Sequence, residues 1–327
     1  MSRGTRLALL LCTPLLAGLG GVFVGSVSVP PGDLLAALVG GGTPLARTIV
    51  ELRVPRVLLA ALVGGGLALS GTTFQALLRN PLAEPYILGI SGGAATGAVI
   101  VLAFGITALG SFTLPLAAFA GALLAIVLVF RVANVADHRL DVRVLLLAGV
   151  VVGAFFSAAI ALILSLSEAD TVRSAMLWML GSVAGASWRE VAVAAGYTLP
   201  ASAVLIALAR PLNLLSVGEE SAAYLGADVE GVKRTAYVVA SLVTAAGVAV
   251  AGVIGFVGLV IPHTLRLLVG SDHRTLLPLS FAVGAAFLVV ADLGARSLFG
   301  ATEIPIGVVT AFVGVPVFLV LLRRSLA

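Results

Sequence analysis

Residues 56–78 decide the fold: they read RVLLAALVGGGLALSGTTFQALL and carry no charged residue after Arg56. A hydrocarbon layer about 30 Å thick is crossed by a helix of roughly 20 apolar residues, so this stretch matches one membrane crossing. The whole chain shares its character, because 60% of the 327 residues are hydrophobic and only 10% are charged. Soluble domains average about 25% charged residues. We therefore predict an all-α polytopic membrane protein.

Stretches of the same length and hydrophobicity recur along the sequence. Residues 235–269 are too long for one helix, and because glycines and Pro262 interrupt them, we predict two crossings joined near Gly255. The predicted total is ten transmembrane helices in a single transmembrane domain that covers residues 1–327. The candidate stretches are 7–27, 56–78, 87–107, 112–130, 144–166, 191–210, 235–269, 276–298 and 305–322.

Ten crossings place both termini on one side of the membrane, and the cationic residues indicate which side this is. With the N-terminus in the cytoplasm, 13 of the 19 Lys and Arg residues lie in inside segments and 6 in outside segments. Cytoplasmic loops are enriched in these residues, so we predict a multi-pass protein of the cytoplasmic membrane with cytoplasmic termini. Three segments do not span: an outside loop (28–55), an outside half-helix (167–190) and a cytoplasmic loop (211–234).

Few residue patterns in the chain are typical of catalysis. The sequence lacks a phosphate-binding loop around its single lysine, Lys233, and its three histidines have no metal-ligand spacing. One cysteine, Cys12, excludes a disulfide framework. The cations stand at the ends of apolar runs instead of forming a basic face. We therefore expect no catalytic site, no metal, no cofactor in this chain and no nucleic-acid partner.

Three groups of polar residues stand out. Asp292 lies within a predicted span, where a charge is costly, and Arg296 lies four residues further on, so we predict a structural ion pair. Arg53, Arg56 and Arg296 fall at the outside rim, where they either capture carboxylates or extend from helix ends to the interface. Residues 218–226, GEESAAYLG, form either a short acidic helix that inserts into a partner or a solvated loop.

A series of motifs, in order over about residues 50–324, resembles the FecCD family of ABC importer permeases. The motifs include LRVPR (52–56), RNPLAEP (79–85), GFVGLVIPH (255–263) and EIPIG (303–307). The others are 68–71, 88–94, 146–149, 178–182 with Trp188, 272–274 and 314–316. The resemblance implies the ABC type II importer permease fold of ten transmembrane helices. It also implies a dimer of two copies, two ATP-binding subunits that hold ATP and Mg, an extracytoplasmic substrate-binding protein and a surrounding lipid bilayer.

The resemblance also implies roles for particular residues. Arg53 or Arg56, together with Arg296, would receive the binding protein, and Asn80 and Leu82 would form part of a cytoplasmic gate. The segment that would couple to the ATPase contains Glu219, Glu220, Ala222, Ala223, Leu225 and Gly226. A second family gate uses small hydroxylated residues, but here that stretch reads Asp141-Val142-Arg143, so this gate is not expected.

The function expected from the resemblance is translocation of an iron chelate, such as a ferric siderophore or haem, or of cobalamin. Partner ATPase subunits would drive it by alternating access. The alternative is a cation-coupled secondary carrier that acts without an ATPase. The glycine-rich break at 252–258 is compatible with such a carrier, whereas the scarcity of acids within the predicted spans argues against it.

Overall fold

The computed structural model describes residues 3–136, 142–298 and 302–326, and every regular element within these ranges is a helix. The all-α prediction is therefore confirmed. Short 3-10 turns lie at Pro85–Leu88 and Gly110–Phe112. The α-helices are α1 (Arg3–Phe23), α2 (Pro31–Leu38), α3 (Pro44–Leu77), α4 (Ile90–Ala103), α5 (Thr113–Ala136), α6 (Val142–Ser165), α7 (Ala169–Met179), α8 (Trp188–Ala207), α9 (Ala209–Val217), α10 (Glu219–Tyr224), α11 (Val229–Ala251), α12 (Val257–Val269), α13 (His273–Ser297) and α14 (Ile306–Leu326).

Seven of the described helices are long and apolar enough to cross a membrane: α1, α3, α5, α6, α8, α11 and α13. Three shorter apolar stretches, in α4, α12 and α14, coincide with the remaining predicted crossings. At 1.5 Å per residue, α4 and α12 are only about 20 Å long, which is less than a hydrocarbon layer. The count of ten spans therefore stays a prediction.

Helix α3 begins twelve residues before the predicted crossing, inside the segment that we expected to be a loop. Its start is favourable because the Thr43 side chain accepts a hydrogen bond from the Ala46 N–H (3.2 Å) and Pro44 occupies the first turn. The helix then continues through Pro55. The short helix α2 packs against this extension through buried Leu34.

The predicted half-helix and the predicted break are both present. Within 167–190 the chain forms α7, and α8 then begins at a capping box in which the Ser187 N–H donates to the Glu190 carboxylate (2.6 Å). The chain breaks between α11 and α12, where Gly252 and Phe256 both adopt φ +69°. At Gly252 an added Cβ would collide with the Trp178 carbonyl oxygen, so this turn requires glycine.

The core of the bundle surrounds α3, which packs on α13, α11, α12 and α8. Nearly every residue of α3 from Val57 to Leu77 is buried or half-buried. The helices approach closely at glycines: a Cβ at Gly71 would overlap the carbonyl of Gly258 in α12. Small residues of this kind allow close backbone packing in lipid, where no hydrophobic force drives helices together.

Candidate functional site

The charged residues of interest lie at the two ends of α3. This helix has 34 residues and is therefore about 50 Å long. Arg53 and Arg56 lie in its first half, whereas Arg79 and Asn80 follow its last turn. We call the two regions the Arg56 end and the Glu219 end, the latter after the residue of α10 that Arg79 contacts.

At the Arg56 end, Asp292 is held between two arginines. The Arg56 Nη2 lies 2.9 Å from Asp292 Oδ1, and the Arg56 Nε donates to both oxygens at 3.0 and 3.1 Å. The Nε of Arg296 lies 3.4 Å from Asp292 Oδ2. The predicted Asp292–Arg296 pair is thus present, but Arg56 is the closer partner. Asp292 is only 1% exposed, and a carboxylate buried this deeply requires compensation of its charge.

A second carboxylate shares Arg56. The Arg56 Nη1 lies 3.0 Å from Glu303 Oε1, and the Glu303 side chain is 45% exposed. Arg56, Arg296 and Glu303 line a cavity of about 270 Å³ that also reaches Ser26 and Arg53. Glu303 is therefore the one acid of this cluster that is open to solvent, and it covers part of the Arg56 guanidinium.

The other two arginines at this end are buried and bind the chain near the end of α1. The Arg53 guanidinium donates to the carbonyls of Val22 (2.9 Å) and Val27 (2.6 Å), and Arg296 donates to the carbonyl of Gly21. Carbonyls in a last helical turn lack partners within the helix. Arg53 and Arg296 thus provide hydrogen bonds to carbonyls at this helix end. Both side chains are buried, whereas the sequence predicts exposed arginines at an outside rim. Arg56 is half-buried by its two carboxylates.

At the Glu219 end, α10 lies between two glycines that both have a positive φ, Gly218 (φ +129°) and Gly226 (φ +84°). Ala222 is fully buried and anchors the helix, whereas Tyr224 is 92% exposed and Leu225 follows it into solvent. Glu220 and Ala223 are exposed as well. The short acidic helix is therefore present, and it presents an apolar tip.

Glu219 points from α10 toward other elements and joins a chain of charges. Its Oε1 accepts a hydrogen bond from the Arg79 Nη2 (2.7 Å), and its Oε2 accepts one from Lys233 Nζ (3.1 Å). The same Lys233 Nζ donates to Glu230 Oε1 (3.0 Å). Lys233 is buried, with 2% exposure. Two carboxylates therefore compensate this buried ammonium. The sequence does not indicate the contact between Arg79 and Glu219, because the two residues are 140 positions apart.

The residues assigned to the cytoplasmic gate form a tight turn directly after Arg79. The Asn80 Oδ1 accepts a hydrogen bond from the Leu82 N–H at 2.9 Å, which fixes an Asx turn. Leu82 is exposed. Of the stretch considered for a second gate, Asp141 lies outside the described residues.

A polar contact near the Glu219 end joins α9 to the start of α13. The Asn213 Nδ2 donates to Asp272 Oδ1 (2.7 Å), and the Arg274 N–H donates to the same oxygen (3.0 Å). These donors lower the pKa of the Asp272 carboxyl below its ordinary value. Asp272 therefore caps α13 as a carboxylate at neutral pH. Within the ranges that the structure describes, no three His, Cys, Asp or Glu residues are grouped to hold a metal ion.

These features describe an all-helical membrane bundle with two charged clusters, and comparisons with known proteins show its family. The FecCD transport family matches residues 10–324. The cobalamin import system permease protein of Halobacterium salinarum is 45% identical over 280 residues, which cover 85% of this chain and 74% of that protein. The hemin transport system permease protein of Yersinia pestis is 38% identical over 279 residues, with 84% and 83% covered.

A solved inward-facing structure of a metal-chelate type ABC transporter superposes with a TM-score of 0.85 at 32% identity, covering 99% of this chain and 100% of that one. The chain therefore belongs to the FecCD transport family. It is a membrane permease of the ABC transporter type, and the resemblance inferred from its motifs is confirmed.

Proposed function

We propose that this chain imports cobalamin, haem or an iron chelate across the cytoplasmic membrane, as a dimer of two copies, each a single transmembrane domain. The cargo class is supported by relatives named for cobalamin and hemin transport and by a solved neighbour of the metal-chelate type. Both termini and the Glu219 end face the cytoplasm. Alternating access then means that ligands and partners shift the chain between outward- and inward-open states.

The observation that carries the proposal is the apolar tip of α10. Tyr224 and Leu225 extend into solvent from a helix whose base is fixed by buried Ala222. Singly exposed apolar residues are common on protein surfaces, whereas Tyr224 and Leu225 are adjacent at the end of one short helix, and aromatic side chains of this kind are frequent anchors in protein–protein contacts. We therefore assign residues 219–226 to a cleft on each of two ATP-binding subunits, which bind ATP and Mg and drive transport. Displacement of α10 moves the turn at Asn80 and Leu82, which gates the pore.

At the Arg56 end we assign docking of an extracytoplasmic substrate-binding protein. Arg56 offers a guanidinium whose exposed partner, Glu303, can be exchanged for a carboxylate of the docking protein. Arg53 and Arg296 contribute positive charge from below the surface. Together the three arginines outnumber the two acids of the cluster, which favours an acidic partner surface.

The experiment is a pull-down of the tagged chain from native membranes in mild detergent, followed by mass spectrometry and by addition of ATP. We expect a Walker-motif ATPase and a substrate-binding protein to be recovered with the wild-type chain. Leu225→Glu should lose the ATPase and keep the binding protein, because it places a charge on the apolar tip. Arg56→Gln should keep the ATPase and weaken the binding protein. Val39→Glu, at an exposed apolar residue between α2 and α3, is the matched control and should keep both.

Recovery of the wild-type chain alone, from membranes in which other such complexes survive, would contradict the proposal and favour a secondary carrier. Uptake that continues after ATP depletion would point to the same alternative. If the Leu225→Glu variant still binds the ATPase, α10 is not part of the contact surface.

A further inference from the structure

Arg79 occupies a backbone position that ordinarily belongs to glycine. Helix α3 ends with the Asn80 N–H donating to the Gln75 carbonyl (3.1 Å) and the Arg79 N–H to the Ala76 carbonyl (3.3 Å). This is the Schellman pattern, in which the residue at the position of Arg79 is left-handed and is usually glycine. Arg79 adopts φ +45°, a conformation that is strained for a residue with a side chain. The two backbone hydrogen bonds of this pattern hold Arg79 in that conformation.

The Arg79 side chain forms an ion pair with Glu219, whose position is itself fixed. Arg79 Nη2 lies 2.7 Å from Glu219 Oε1, while the second oxygen of Glu219 is held by buried Lys233. Helix α10 packs chiefly on α9 and α11, so this pair joins it to the end of α3. The turn that contains Asn80 and Leu82 starts at the very next residue.

The same turn is tied to the α11–α12 break at its other end. Glu84 accepts a hydrogen bond from the Phe256 N–H (2.7 Å), and the Tyr86 hydroxyl accepts one from the Ile254 N–H (3.3 Å). Phe256 is the other described residue, besides Arg79, that has a side chain and a positive φ. Residues 79–86 are thus held by α10 at one end and by the broken helix at the other.

We propose that Arg79 is a positioning residue that transmits displacement of α10 to the Asn80–Leu82 turn and, through Glu84, to the start of α12. The inference rests on the proposed function, because α10 must be the segment that the ATPase displaces. The side chains of Arg79 and Glu219 are 44% and 33% exposed. Ion pairs of this exposure contribute little to folding stability, so removing the pair should change the coupling and leave the fold intact.

The test uses the complex of this chain with its co-purified ATPase. Leu82→Cys in a Cys12→Ser background provides a single thiol, because Cys12 is the one native cysteine. The rate of its modification by a water-soluble maleimide is measured with ATP and Mg, with and without vanadate. The ratio of the two rates reports how strongly the nucleotide state moves the turn. Variants at residue 79 are added to this background, and Arg234→Gln, an exposed cation next to Lys233, is the matched control.

We expect the wild-type ratio to differ clearly from one. Arg79→Gln should still bind the ATPase and keep its melting temperature, while its ratio moves toward one by a factor of about 2 to 30, the range for residues that transmit coupling. Arg79→Lys should keep part of the response, since the charge remains. Arg234→Gln should behave as wild type.

Failure of this inference and failure of the proposed function would give different results. If Arg79→Gln keeps the full wild-type response, the inference is overturned and the proposed function stands. If the wild-type complex contains no ATPase, or if its turn does not respond to nucleotide, the proposed function fails and the inference fails with it. A large loss of melting temperature in Arg79→Gln would also overturn the inference, because it would make the pair structural.

Discussion

At the scale of single residues, the Arg56 end shows how a charge is tolerated inside the bundle. Asp292 is buried and contacts two arginines, and one of these, Arg296, also binds a carbonyl of α1. Burying an ion pair is costly, and it is retained only where the geometry satisfies each partner. The cluster therefore fixes α1, α3 and α13 relative to one another at the Arg56 end.

Substitution of Asp292 should destabilise the protein strongly. Asp292→Asn removes the negative charge that compensates two guanidinium groups, and breaking a buried pair costs roughly 3–5 kcal/mol. Glu303→Gln is the matched control: it removes a carboxylate from the same Arg56, but an exposed pair is worth about 0–1 kcal/mol. The measurement is thermal unfolding of the purified variants in one detergent. Equal melting temperatures for the two variants would contradict the role of Asp292.

Only part of this cluster could be predicted from the sequence. Asp292 and Arg296 are four residues apart on one helix, so their contact follows from helix geometry. Arg56 lies 236 residues from Asp292 along the chain, and that contact depends on how α3 packs against α13. For the same reason the sequence could not indicate that Arg53 binds carbonyls near the end of α1, or that Arg79 meets Glu219.

At the scale of the helices, glycine determines how closely α3 approaches its neighbours. The Gly71 backbone lies against Gly258 in α12 with no room for a Cβ. By contrast, Gly196 in α8 has open space around the position of its missing Cβ. Both glycines lie inside apolar helices, and hydrophobicity alone does not distinguish them.

The two glycines should therefore respond oppositely to the same substitution. Gly71→Ala forces α3 and α12 apart, and overpacking of this kind costs about 1–3 kcal/mol. Gly196→Ala adds a methyl group in open space and gains up to about 1 kcal/mol from helix propensity. Monodispersity and melting temperature in detergent measure both effects. A neutral Gly71→Ala variant would mean that α12 is free to move away from α3.

The helix boundaries show which local signals can be read in advance. The glycine-rich break between α11 and α12 was predicted because glycines and Pro262 interrupt an apolar run that is too long for one helix. The start of α3 at Pro44 differs from the predicted loop, although Thr43 and Pro44 are a typical helix beginning. The predicted loop ends at Pro55, whereas in the structure the helix passes through this residue.

At the scale of the whole molecule, the two charged clusters flank the buried part of α3, which runs from Val57 to Leu77. Hydrophobicity predicts the all-α bundle and most of its long helices. It does not determine the number of crossings, because α4 and α12 are shorter than a hydrocarbon layer. The excess of Lys and Arg in the segments assigned to the cytoplasm predicts that the two ends face opposite sides of the membrane.

Accessibility of single thiols should reveal the orientation. Val39, between α2 and α3, and Tyr224, on α10, are 86% and 92% exposed, so their variants Val39→Cys and Tyr224→Cys are equally reachable wherever solvent is present. Both are made in the Cys12→Ser background because Cys12 is exposed. In right-side-out vesicles we expect a membrane-impermeant maleimide to modify Val39→Cys at once and Tyr224→Cys only after the membrane is permeabilised.

This result follows from the excess of Lys and Arg in the segments assigned to the cytoplasm. The reverse pattern would invert the orientation, and immediate modification of both variants would place both clusters on the same side and contradict the division of partners between them.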